Sequence, residues 1–408
     1  MSAINMKAVG AVALIAIIAV AAVAVIVFLP KAPSTEPIKI GLLEPLTGSS
    51  SSHGRGGLIG AQIAVEDINE AGGILGRPVV LISEDTEGNP DKAVSAATKL
   101  ITVDKVDVLI GCVLSSEALA VAEVAADNQI IYINSNPLTN AFTQLVADNY
   151  ERYKYLFRTQ WNGTQWMYGW FEAITDLWDN LTKVSFVTED LLWAREATLD
   201  LEALCNASGI GYQDVLFTPG TTDFTPEIAA VEAFDPDVVL VDLLLATSMT
   251  IQKQWWALKP DVIFIGASGC LSDGNAIRDL GAEDTNFTLT YSEYWRINQT
   301  SKTVDFYDRF VSYSGFLPFG TAACTHDAIA CWADAIGAAG SMDTNAIIHQ
   351  LEIGTFEGVR GMYTFMANHQ AGFIPGVMLQ WINCQPTVIW PTELAWGSFQ
   401  QPPWVTKP

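Results

Sequence analysis

The chain has 408 residues, half of them hydrophobic and only 16% charged, which gives room for two domains and a sizeable core and excludes a disordered composition. Its 45 acidic residues against 21 basic ones give a formal charge of -24. Such a surface repels phosphate backbones, so nucleic acid is excluded as an expected partner.

From Ala8 to Leu29 the chain carries no charge and is rich in Ala, Val and Ile. A helix over that span reaches about 33 Å, enough for the hydrocarbon core of a bilayer. The run ends in Val-Phe-Leu-Pro, a poor cleavage site, and no Cys follows it to take a lipid. A retained transmembrane anchor over 8–29 is therefore expected. The Pro-containing spacer "KAPSTEP" follows, with the linker at 30–36. The body of the protein is expected on the extracytoplasmic side of the cell membrane.

Beyond the linker an alternating grammar begins. "IKIGLL" reads as a buried strand, and Ala61, Ala64, Val65 and Ile68 repeat with helical period. The strands "PVVLIS", "VDVLIG" and "QIIYIN" follow, with helical stretches between them. Residues 140–182 are aromatic and irregular. The alternation then resumes through "KVSFVT", "YQDVLF", "PDVVLVDLLL" and "DVIFIG", and later "GVMLQWI" and "PTVIW" supply two further strands. Strand and helix alternating at this spacing predict an α/β fold of mainly parallel sheets flanked by helices. Two such halves predict two lobes with a cleft between them.

The opening loop "PLTGSSSSHGRGGLIGA", residues 45–61, contains Gly54, Gly56 and Gly60. A dinucleotide loop needs a tight turn straight from strand to helix, and the strand lies too far upstream for that. The glycines are expected to let the backbone turn into a helix beginning near Gly57. Catalytic signatures are absent: the four histidines show no H-E-x-x-H spacing, and there is no G-x-S-x-G elbow. No enzyme, metal or cofactor is expected. Cys112, Cys205, Cys270, Cys324, Cys331 and Cys384 include no C-x-x-C, and their connectivity is left open. Sequons at Asn162, Asn180, Asn206, Asn286 and Asn298 fit a glycoprotein.

In "GCVLSSEALAVAEVA", residues 111–125, Ser115 or Ser116 stands where a helix N-cap belongs. Free N–H groups there face the carboxyl edge of the sheet, where ligands of open α/β sheets bind. A pocket for a carboxylate or carbonyl oxygen is one reading; an ordinary N-cap serine is the other.

The order of "IKIGLLEPLTG", "GAQIAVEDINEAGGILGRPVVLISEDTEGNPDKAVSAATKLI", "VDVLIGCVLSSEALAVAEVA", "PGTTDFTPEIAAVEAFDPDVVLV" and "GTFEGVRGMYTF" resembles the type I periplasmic solute-binding proteins. The nearest branch is the leucine/isoleucine/valine-binding family of ABC importers. The resemblance implies a two-lobed Venus-flytrap fold with hinge crossings near 157–161, 288–294 and 361–366. One lobe would comprise 37–157 and 292–362, the other 158–291 and 363–395, with 396–408 as a C-terminal tail. It also implies a small-molecule ligand held between the lobes, ABC permease subunits as partners, and a monomer. A ligand-sensing ectodomain signalling through a separate membrane partner is the alternative. Carried over residue by residue, the ligand-binding positions fall on His53, Leu114, Ser115, Ser116, Asn136, Leu138, Thr139, Trp193, Leu244 and Ser268. Amino-acid binders of this group carry an acidic residue after the strand that here ends "DVIFIG", and this chain has Ala267-Ser268-Gly269. That departure places an amide, urea, carboxylate or aromatic ligand beside an amino acid.

Overall fold

The computed structural model describes residues 36–243, 247–267, 279–318 and 320–407. The expected anchor over 8–29 and the linker to residue 35 lie outside the described residues. Among the described residues no helix is long and apolar enough to cross a membrane.

The first sheet is built from β1 (Ile38–Glu44), β2 (Val79–Asp85), β3 (Val108–Gly111), β4 (Tyr132–Asn134) and β5 (Leu156–Arg158), in the order β2-β1-β3-β4-β5. All its neighbouring pairs are parallel. The period of two explains the layering. Ile38, Ile40 and Leu42 enter one apolar cluster, while Leu43 enters another on the opposite face. Helices α1 (Ser51–Glu70), α2 (Pro90–Lys99), α3 (Ser115–Asn128) and α4 (Ala141–Asp148) connect these strands.

The second sheet begins after α5 (Gly163–Leu177). It contains β6 (Lys183–Glu189), β7 (Gly211–Phe217), β8 (Val238–Asp242), β9 (Ile263–Ala267) and β10 (Leu289–Ser292), with α6 (Leu192–Ala207), α7 (Thr225–Phe234) and α8 (Ser248–Leu258) as connections. The chain then returns to the first lobe as α9 (Thr303–Ser314), α10 (Gly320–Ala339) and α11 (Thr344–Ile353), followed by the short hairpin β11 (Phe356–Glu357) and β12 (Met362–Tyr363). Finally β13 (Val377–Ile382) and β14 (Gln385–Trp390) add antiparallel strands to one edge, giving the order β14-β13-β10-β9-β8-β6-β7.

Two boundaries differ from the expectation. Tyr363, Phe365, Ala371 and Ile374 belong to the core of the first lobe, so the third crossing follows Ile374 rather than lying at 361–366. Within the expected C-terminal tail, residues 396–407 pack on the second lobe. Val405 is buried, Phe399 and Trp404 pack on the second lobe, the Thr406 N–H donates to Asp261 Oδ1 at 2.6 Å, and Lys407 pairs with Asp235. The aromatic anchors decide this, because leaving a Trp in water forfeits a few kcal/mol of burial.

The crossings are stitched by buried polar bonds. Gln160 Nε2 donates to Glu293 Oε1 (3.0 Å), joining the first crossing to the second. Gln370 Nε2 donates to Gln160 O (2.7 Å), and the Arg360 guanidinium donates to Thr159 O, joining the first crossing to the segment that leads to the third. Asp327 accepts from the Val359 N–H (2.6 Å) and from Arg360 Nε (3.3 Å), so the buried guanidinium has its counter-charge.

The opening loop folds differently from the expectation. Helix α1 begins at Ser51, so His53 and Gly54 lie in its first turn. Gly54, Gly57 and Gly60 repeat every three residues along it. A Cβ on Gly60 would stand 2.1 Å from Ala322 O of α10, and one on Gly57 would stand 2.4 Å from Glu44 Oε1. These glycines allow close packing rather than a turn.

Candidate functional site

Bonds between the sheets' carboxyl edges join the loop after β4 to α6 after β6 through Thr139, Asn140 and Glu196, and Trp166, beyond β5, to Asp242 at the end of β8. After β3, Cys112 adopts a left-handed conformation (φ 66°) and donates its N–H to Leu43 O at 2.6 Å. This sharp turn aims the start of α3 at that edge. The N-cap is Leu114, in extended conformation, and not Ser115 or Ser116 as the sequence predicts. Glu117, at N3, fixes this start: its carboxylate reaches back to accept the Leu114 N–H at 2.9 Å, the Glu half of a capping box, while Leu114 has no side-chain acceptor for the N3 N–H. Ser115 is buried in the first turn, and Ser116 is exposed. Their N–H groups precede the first intrahelical bond and stand at the positive end of the helix.

After β4, Asn136 is buried. Its Nδ2 donates to Ser135 Oγ (3.1 Å), while no bond is made by its Oδ1. Ser135 Oγ in turn accepts from Thr325 Oγ1 (3.0 Å) of α10. Leu138 is half-buried and packs against the apolar cluster of the second lobe. Thr139 is used otherwise than expected: its Oγ1 donates to Glu196 Oε1 of α6 at 3.0 Å and accepts the Ala141 N–H at 3.2 Å. That hydroxyl is committed to joining the lobes. His53 is buried in α1.

The second lobe has a buried aromatic cluster near its carboxyl edge. Trp193, in the first turn of α6, is 5% exposed, and its indole Nε1 has no partner. Trp161 and Trp166 lie 5.2 Å apart by ring centroids, Tyr291 lies 5.3 Å from Trp166, and the Trp166 indole N–H donates to Asp242 at the end of β8. Trp161 and Trp166 were not assigned from sequence, although both fall in its aromatic, irregular stretch. The placing of Trp166 depends on Asp242, 76 residues further along. Leu244 and Ser268 lie outside the described residues.

Two buried carboxyls set the charge of the first-lobe edge. Burial pushes Glu44 well above the usual carboxylate range; Glu117 pushes it the same way, and the Thr325 hydroxyl opposes. Burial also raises Glu117, against bonds from Thr86 and from the Leu114 and Val113 N–H groups. Both therefore favour the neutral acid more than an exposed glutamate does. Among the described residues no group of His, Cys, Asp and Glu could hold a metal ion. Cys112, Cys205, Cys324, Cys331 and Cys384 are free thiols, and Cys270 lies outside the described residues.

Comparison with known proteins places this arrangement. The family model described as periplasmic binding protein matches residues 37–383. The Leu/Ile/Val-binding protein BraC3 of Rhizobium johnstonii is 29% identical over 234 residues, covering 57% of this chain and 61% of that relative. The chemotactic signal transduction system substrate-binding protein BasB of Halobacterium salinarum is 29% identical over 188 residues, covering 44% of this chain and 40% of the relative. The matches thus span less than two thirds of these relatives. Among solved structures, the branched-chain amino acid transporter substrate-binding protein LivJ of Streptococcus pneumoniae, in complex with isoleucine, superposes with a TM-score of 0.74 at 23% identity, covering 87% of this chain and all of that one. A solute-binding protein of an ABC transporter from R. palustris, in complex with benzoate, superposes with a TM-score of 0.76 at 21% identity, covering 90% and 99%.

Proposed function

The chain belongs to the periplasmic binding protein family, and from that premise we propose that it is the extracytoplasmic solute-binding protein of an ABC importer. It captures a small organic carboxylate, amide or amino acid in the interlobe cleft and delivers it to a permease. The observation that carries this reading is the pairing of two unlike walls. The N-terminus of α3, with exposed Ser116, would offer donors to a carboxylate or carbonyl oxygen, and Asn136 Oδ1, which makes no bond, would accept from an amide or amine N–H. Trp193, backed by the buried Trp161–Trp166–Tyr291 cluster, would offer apolar surface to the rest of the ligand. The absence of an acid in Ala267-Ser268-Gly269 favours a ligand without a buried ammonium, which would lose a charge-assisted bond worth about 1.5–3 kcal/mol. The apolar segment Ala8–Leu29 anchors the protein, leaving the lobes outside the membrane.

A sensory role is the second reading, supported by the likeness to the Halobacterium chemotactic binding protein. In that case the same cleft reports occupancy to a membrane partner. Both readings require binding. A thermal-shift screen of the full chain against leucine, isoleucine, benzoate, other aromatic acids, amides and urea tests it, because ligand at 100 times its Kd stabilises by about 2.7 kcal/mol. A carboxylate or amide that raises Tm supports the proposal. Silence across all of these classes contradicts it. Tight leucine binding would overturn the inference drawn from Ser268.

A further inference from the structure

The loop carrying Asn136 also carries the bonds that join it to the opposite lobe. Glu196 and Asp200 stand one turn apart on α6. Thr139 Oγ1 donates to Glu196 Oε1 (3.0 Å), and the Asn140 N–H donates to Glu196 Oε2 (2.7 Å). Asn140 Nδ2 donates to Asp200 Oδ2 (3.4 Å) and to Thr164 Oγ1 (3.1 Å), while Thr164 Oγ1 donates to Asp200 Oδ2 (2.9 Å). Behind this loop, at the end of β5, sits the fully buried Arg158. It donates to Pro137 O (3.1 Å), Thr139 O, Thr143 Oγ1 (3.2 Å) and Gln370 Oε1 (2.6 Å), all of them neutral acceptors. Burial pulls this guanidinium down to about 9, and the carboxylate whose field opposes that is Glu196. A positive charge buried in one lobe is therefore balanced from the other, in a medium where charges act more strongly than in water.

We infer that Glu196, assisted by Asp200, is a positioning residue for ligand capture: a latch that holds the ligand-facing loop 135–140 against the second lobe and favours the closed arrangement. The ligand part of this statement rests on the capture reading above; the latch itself is defined by contacts of the protein alone. Separation of the lobes breaks the bonds to Thr139 and Asn140 and removes the counter-charge of Arg158 in one step. Because the same loop presents Asn136, a ligand that orders it also favours the latch, which is how differential affinity for the closed state arises.

Hydrogen–deuterium exchange of the full chain, without added ligand, tests the latch. Glu196→Gln and Thr139→Val are each expected to speed exchange about tenfold in both 135–148 and 192–207, with β8 unchanged. The double variant is expected to do less than the two single effects combined, since both remove the Thr139–Glu196 bond. A helix cap with no latching role would change only the lobe that bears the substitution, and that pattern, or no change, overturns the inference. With L-leucine or benzoate as probe, whichever raises Tm, Glu196→Gln is expected to speed release about tenfold with an unchanged capture rate. A slower capture with unchanged release would contradict it. If neither probe binds, the capture reading is in doubt, while the exchange pattern still decides the latch.

Discussion

Replacing Glu44 by Gln should stabilise this protein at neutral pH. Glu44 ends β1 and is fully buried. Its Oε1 lies 3.5 Å from Thr325 Oγ1, whose proton also has the closer acceptor Ser135 Oγ (3.0 Å), and its Oε2 has no partner. Gly57 presses against it from α1, so water has no room to solvate the charge. Burial and the neighbouring Glu117 raise its pKa, with Thr325 opposing. In the unfolded chain a glutamate ionises near about 4.3. Between that value and the higher folded one the native state holds the proton and the unfolded state does not, so stability falls as pH rises through the interval. Glutamine keeps an acceptor for Thr325 and nearly the same volume but cannot ionise. The gain at pH 7 is about 1–3 kcal/mol, the range for one unsatisfied buried polar group. At about 2–4 °C per kcal/mol, Tm rises by several degrees. Calorimetry of both proteins from pH 4 to 8 should show the curves together at the acid end and diverging as pH rises. A variant less stable at pH 7, or an offset that does not change with pH, would refute the reasoning.

Gly60→Ala should lower stability by about 1–3 kcal/mol, because the new methyl meets backbone, Ala322 O at 2.1 Å, and α1 and α10 must separate. Thermal melts check it; an unchanged Tm would show that the helices can part without cost. Gly337→Ala, at an exposed site late in α10 with open space around the added methyl, should instead raise stability by about 1 kcal/mol.

Much of the fold was legible because buried parallel strands leave continuous apolar runs. "VDVLIG" and "PDVVLV" each yielded a strand where one was expected, as β3 and β8. The errors share a cause, which is that long-range partners override local chemistry. Ser51 to Gly54 look like loop, yet they fold as helix because small residues let α1 lie on Pro45 and Glu44. Ser115 looks like an N-cap, but Glu117 displaces it. Thr139 resembles a ligand contact, but its hydroxyl is taken by Glu196, 57 residues away. The terminal residues look like a tail, and Trp404, whose ring centroid lies 6.0 Å from that of Trp256, fastens them. The pairing of Trp166 with Asp242 had no local signal, since neither residue marks the other in sequence.

The central claim is that a ligand lies between the start of α3 and Trp193. A crystal structure of the protein with a hit from the thermal-shift screen tests it most directly. The account predicts a ligand oxygen or amide at about 2.7–3.2 Å from the Ser115 or Ser116 N–H or the Ser116 hydroxyl, with the apolar body of the ligand against Trp193. A ligand bound outside the cleft, or one in the cleft touching neither α3 nor Trp193, would contradict it.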